Sequence, residues 1–223
     1  MNIRRIHKHL TPLPHYHVQG TPFQAPIAHT KIIAILCNMK TLLINNHTKH
    51  LDELASLFPE CEIIQKEDLR DDININEYDL LVISGGSDTP SAYWHPEAYK
   101  IEVALIREAT IPVLGICLGS EIVTQAYSGK LKELSKKHKG NIEIDIQDES
   151  LKQKLSSPII DVYEAHEVCT ETLPEHFIVC ATSEHGIEIM KHESKPVIGI
   201  QFHPEVGKNA ELFEWVFETL GLN

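Results

Sequence analysis

One ten-residue stretch, Pro112-Val113-Leu114-Gly115-Ile116-Cys117-Leu118-Gly119-Ser120-Glu121, narrows the folds open to this chain more than any other. The apolar run over 111–116 is short enough for a buried strand, with Pro112 near its start. Gly115 and Gly119 then stand two residues either side of Cys117. Beyond them, residues 122–127 read as the first turns of a helix. A strand, a pinched turn and a helix with a nucleophilic side chain at the apex form a nucleophile elbow. The glycines admit the close backbone approach that such a strained turn demands. The helix N-terminus behind Cys117 offers free N–H groups and a positive dipole end. That setting favours thiolate over thiol and can hold an oxyanion.

An elbow needs a sheet whose strands feed helices, and the rest of the chain supplies one. Residues 40–45 read as a first strand. Residues 48–58 carry Leu51, Leu54, Ala55 and Phe58 at helical spacing, with Thr48 as a cap. Residues 62–65 read as a short strand and 78–84 as a buried strand ending in Gly85-Gly86. Residues 97–109 read as a helix. This alternation predicts an α/β chain with a parallel sheet, helices on both faces, and ligands at the carboxyl ends of the strands. Beyond residue 130 the character changes. Residues 130–134, 141–146, 159–163, 177–181, 186–190 and 196–202 are strand-like with short turns, which predicts antiparallel additions to the sheet. Residues 210–220 close the chain with one apolar face of Leu212, Phe213, Val216, Phe217 and Leu220, read as core packing.

The 223 residues suit one domain with a full-sized core, and 42% apolar with 23% charged residues is ordinary for a soluble globule. No run is long enough for a membrane span. The net charge of −12 makes a nucleic-acid backbone an unfavourable partner. Five cysteines (Cys37, Cys61, Cys117, Cys169 and Cys180), odd in number and without close pairs, fit a reducing, cytoplasmic compartment rather than a disulfide framework or a zinc site. The first acidic residue is Asp52. Residues 1–38 hold Arg4, Arg5, Lys8 and Lys31, several prolines, and the histidine pairs His7/His9 and His15/His17. They read as a basic extension, disordered or upstream of a true start at Met39, in preference to a metal-binding tail. The domain is therefore expected over 39–223. Of the other histidines, His138, His176, His185 and His192 read as solvated surface side chains.

Gly115-Ile116-Cys117-Leu118-Gly119, followed about 86 residues after Cys117 by Gln201-Phe202-His203-Pro204-Glu205, resembles the class I (triad-type) glutamine amidotransferases. The resemblance runs from about Met39 to the C-terminus and takes in Ser84-Gly85-Gly86 and Gln125-Ala126-Tyr127-Ser128-Gly129-Lys130. It implies a three-layer sandwich with a mostly parallel central sheet, the flavodoxin-like amidotransferase fold. It also implies a triad of Cys117 as nucleophile, His203 as base and Glu205 as orienter. The backbone N–H groups of Gly86 and Leu118 would form the oxyanion hole. By the same resemblance Gly85, Ser87, Asp88, Glu121, Ala165 and His166 belong to the substrate-binding segments. No metal and no cofactor is implied; the Gly85-Gly86 turn is too short for a phosphate-binding loop.

Three of those segments depart from the family pattern. Glu121 stands where most relatives carry glutamine, Ser87-Asp88 where most carry proline and glycine, and Ala165-His166-Glu167 where Ser-His is common. A carboxylate in place of an amide swaps an N–H₂ donor for a negative charge. Near Cys117 it would oppose a thiolate, repel a substrate carboxylate and weaken the preference for glutamine. Facing a local partner, it would be a neutral variant. Three readings follow. The first is an amidotransferase subunit of GMP synthetase or anthranilate synthase type, which frees ammonia from glutamine for a synthase on another chain. The second is a stand-alone hydrolase of γ-glutamyl amides or another small amide. The third is a non-catalytic relative that binds a ligand or partner.

Overall fold

A computed structural model describes residues 39–87, 89–207 and 209–222. The extension expected at 1–38, with its histidine pairs, lies outside the described residues, as does Asp88. Nine strands form one sheet in the order β2-β1-β3-β4-β9-β8-β7-β5-β6. The parallel half consists of β1 (Thr41–Asn46), β2 (Cys61–Gln65), β3 (Leu80–Gly86), β4 (Val113–Ile116) and β9 (Val197–Ile200). The antiparallel half consists of β5 (Lys130–Ile146), β6 (Ile159–Thr172), β7 (Phe177–Ser183) and β8 (Gly186–His192). The expected mostly parallel sheet with antiparallel additions is thus observed.

The central strands are apolar on both faces because helices cover both. Leu43, Val82, Leu114 and Ile198 pack with Leu54 of α1 (Leu51–Ala55), Leu151 of α4 (Glu149–Leu155) and Leu212 and Val216 of α5 (Ala210–Thr219). Their sequence neighbours Leu42, Leu81, Val113 and Val197 pack on the other face. There they meet Leu105 and Ile106 of α2 (Lys100–Glu108) and Ile122 and Val123 of α3 (Leu118–Ala126). Period-two alternation across a doubly covered sheet produces the near-continuous apolar runs seen in the sequence.

Several elements differ from expectation. The helix expected over 48–58 is only α1, because Thr48 does not cap it. Thr48 Oγ1 instead accepts from His50 N at 3.2 Å and turns the chain into the helix. The helix expected from residue 97 opens as a 3₁₀ turn, Pro96–Tyr99, before α2 begins. The two strands expected at 130–134 and 141–146 are one long strand, β5, whose pairing with β6 is irregular between Glu133 and His138. No helix was expected where α4 lies; Asp148 caps it by accepting from Leu151 N at 2.9 Å. No helix among the described residues is long and apolar enough to cross a membrane.

Candidate active site

Strands β3, β4 and β9 are neighbours and run the same way, so their carboxyl ends open on one edge of the sheet. Each delivers one part of the site there. β4 ends at Cys117, whose N–H continues the ladder to Ile200 O at 2.7 Å. The chain then turns sharply: Cys117 has φ 51° and ψ −106°, a conformation that a non-glycine residue rarely adopts. Its carbonyl accepts from Ser120 N (2.9 Å) and Glu121 N (3.1 Å), which makes Cys117 the residue that starts α3. The N–H groups of the first helical turn therefore point toward the cysteine without intrahelical partners.

The turn is possible only because α3 lies against the sheet without a side chain between them. A Cβ on Gly119 would sit 2.1 Å from the carbonyl oxygen of Ile83 in β3. Backbone cannot yield as a side-chain tip can, so Gly119→Ala must push α3 off the sheet. We expect urea denaturation to show a stability loss of about 1–3 kcal/mol, in the range typical of overpacking. Activity should fall with the displaced cysteine.

β9 delivers the second part. His203 follows it and is fixed by its N–H to Tyr163 O at 2.8 Å. Its ring lies over the Gly85 backbone so closely that a Cβ there would come within 2.8 Å of His203 Cε1. Nδ1 meets Glu205 Oε1 at 2.8 Å, and the ring also shares a hydrogen bond with Cys117. Cys117, His203 and Glu205 are all buried. Burial by itself would lower the His203 pKa. The charge and hydrogen bond of Cys117, then those of Glu205, outweigh it and push the imidazole up to about 10.

The third part is a small cavity of about 60 Å³ in front of Cys117, walled by Gly86, Leu118, Glu121, Lys137, Ala165 and His166 among others. Glu121 Oε2 accepts from Ser91 Oγ at 2.5 Å and from Ala92 N at 3.1 Å. Burial raises its pKa to about 7 against these two hydrogen bonds and the opposite charge of His166. The expectation of either a free charge beside Cys117 or a locally bonded side chain therefore resolves into both. Glu121 faces the cavity, is bound to the 91–92 loop, and carries only part of a charge near neutrality. His166 places both ring nitrogens on acceptors, Val168 O and Glu164 Oε2, each at 2.9 Å. Burial disfavours its charge, but Glu164 and the negative groups around it prevail and lift it to about 9.

The sequence-predicted residues thus fall into three sets. Cys117, Gly86, Leu118, Glu121, Ala165 and His166 meet around the cavity, with His203, Glu205 and Gly85 beside them. Ser87 is half-buried in the bend after β3 and does not line the cavity. Asp88 is outside the described residues. Thr89, Ser91, Lys137 and Glu167 line the cavity and were not anticipated, since no local pattern marks them. His185, expected in solvent, is buried at 8% exposure, and the His138 side chain is only 19% exposed.

The family described as glutamine amidotransferase class-I matches residues 42–220. The glutamine-hydrolysing subunit of GMP synthase from Methanothermobacter thermautotrophicus is 34% identical over 175 residues, which cover 76% of this chain and 90% of the relative. Its namesake from Methanosarcina acetivorans is 35% identical over 191 residues, covering 81% of this chain and 96% of the relative. In architecture, a glutamine amidotransferase from Thermotoga maritima superposes with a TM-score of 0.63 at 22% identity, over 83% of this chain and 86% of that one.

Proposed function

We propose, from the premise that this chain belongs to the class I glutamine amidotransferase family, that it hydrolyses the side-chain amide of glutamine through a thioester on Cys117. The observation that carries the reading is the contact of Cys117 with a histidine that Glu205 already holds at 2.8 Å. Cys117 Sγ attacks the amide carbon while His203 takes the thiol proton. The developing oxyanion sits toward the N–H groups of Leu118 and Gly86. His203 returns the proton to the departing nitrogen, ammonia leaves, and the acyl group remains on sulfur. Water, deprotonated by His203, then attacks the thioester and frees glutamate. Glu205 accepts the Nδ1 proton in hydrogen bonding throughout, which keeps the other nitrogen turned to the sulfur.

Gly85, Glu121, Ala165 and His166, with Ser87 and Asp88 from the bend, bind the substrate in this reading. The relatives named as glutamine-hydrolysing GMP synthase subunits support a further step. Ammonia passes to a synthase on a separate chain, in the cytoplasm, and the amidotransferase needs no cofactor of its own. A diazoketone analogue of glutamine tests the reading directly. It should add one acyl mass to the peptide containing Cys117, and excess glutamine should protect against it. Labelling at another cysteine, or labelling indifferent to glutamine, would overturn it.

A further inference from the structure

We propose that His138, Glu164 and His185 form a binding site for a first-row divalent cation of the zinc type, beside the hydrolytic site and separate from it. Three segments bring them together. His138 on β5 stands opposite His166 on β6, and Glu164, two residues before His166, shares its face. His185 lies in the tight turn between β7 and β8, held by its N–H to Ser183 Oγ at 2.9 Å. One ligand atom from each of the three residues lies within 4.8 Å of the other two. His138 Nδ1 is 3.9 Å and His185 Nδ1 2.6 Å from the same oxygen, Glu164 Oε1.

The second observation is that this convergence is unsatisfied. Glu164 is fully buried and His185 nearly so, yet Glu164 Oε1 and His185 Nδ1 both lack a hydrogen-bond partner. Their 2.6 Å contact is too bent for the ring N–H to point at the oxygen. Buried donors and acceptors in folded proteins are almost always paired, and an unpaired one commonly marks a missing ion or water. Two imidazole nitrogens and a carboxylate oxygen turned toward common space are the donor set that zinc, cobalt and nickel favour, with a fourth position left for water. Bonds of ~2.0–2.2 Å to one ion would require His185 and Glu164 to part slightly and His138 to close slightly.

The surroundings fit as well. Glu164 Oε2 is held by His166 Nε2 at 2.9 Å, which orients the carboxylate as outer-shell partners of metal ligands do. Glu188, 1% exposed with Oε2 unpaired, adds a second negative charge nearby. Lys137, Ala165 and Glu167 adjoin the ligand residues and line the cavity in front of Cys117. An ion here would clamp that wall, by a route that does not depend on the thioester chemistry.

The test is a cobalt(II) titration of the full chain, read by visible absorption and by equilibrium dialysis, beside His138→Gln, His185→Ala and Glu188→Gln. Wild type should bind one cobalt equivalent that both histidine variants lose or hold at least about 10²-fold more weakly, since losing even an outer-shell partner costs about 10–100-fold. Glu188→Gln should keep that equivalent. The spectrum should lack a thiolate charge-transfer band, which excludes Cys117, and any equivalents bound by the histidines of residues 1–38 should remain in every variant. Near-ultraviolet circular-dichroism spectra without metal check folding, and the partly exposed His138 makes His138→Gln the safer of the two. An unchanged equivalent in folded His138→Gln, loss confined to Glu188→Gln, or no variant-sensitive equivalent at all would overturn the site.

Discussion

Cys117→Ala should lower glutamine-dependent ammonia release by at least about 10⁴-fold, because removal of a catalytic nucleophile leaves only binding and oxyanion stabilisation. The substitution removes a single sulfur and keeps the Cβ, so the elbow backbone has no new clash to relieve. The cavity walls, Gly86, Leu118, Glu121 and His166, are untouched. Glutamine affinity measured by calorimetry should therefore stay within a few-fold of wild type while turnover collapses. That split separates the proposed role from a structural one. A cysteine needed only for packing would cost stability and affinity together, and a variant that still released ammonia at a tenth of the wild-type rate would remove Cys117 from the mechanism.

The elbow was legible because its demands are local. A short apolar run, two glycines and a following helix occupy consecutive residues, and Gly119 is required by a 2.1 Å approach that no other residue could survive. The parallel strands were legible because coverage on both faces leaves no polar alternation to confuse. The antiparallel half was read less well for the opposite reason. β5 alternates half-buried with exposed lysines and glutamates, so its middle looked like a loop between two strands. α4 has one buried residue, Leu151, and leans on the Asp148 cap instead of an apolar face. The site residues divide in the same way. His203 and Glu205 stand two apart on one chain segment. The union of Ser91 and Ala92 with Glu121, and of His185 with Glu164, spans distant segments and leaves no mark in either. His185 looked like a turn histidine, which it is. That the turn folds onto Glu164 is a property of the sheet and not of its neighbours in sequence.

Glu121→Gln should make the protein more stable relative to wild type as pH rises, by on the order of 3 kcal/mol between pH 4.5 and pH 8. The sign follows from the proton. In the unfolded chain the Glu121 carboxyl ionises near 4.5, but in the folded chain burial delays this to about 7. Between those values the folded state holds a proton that the unfolded state has released. The stabilisation is complete below 4.5 and is lost as pH rises through about 7. Glutamine has no proton to lose there, and its carbonyl oxygen can still accept from both Ser91 Oγ and Ala92 N, which bond the same oxygen in wild type. Glu188, whose carboxyl is also raised to about 7 by burial, pulls in the same direction in both proteins and cancels in the difference. His166 lowers the Glu121 value and Glu167 raises it, so neither reverses the sign. Urea denaturation of both proteins at pH 4.5 and pH 8 measures the effect. Parallel pH dependences would mean that Glu121 ionises as an ordinary carboxylate and carries its full charge into the cavity, where it would repel the carboxylate of glutamine.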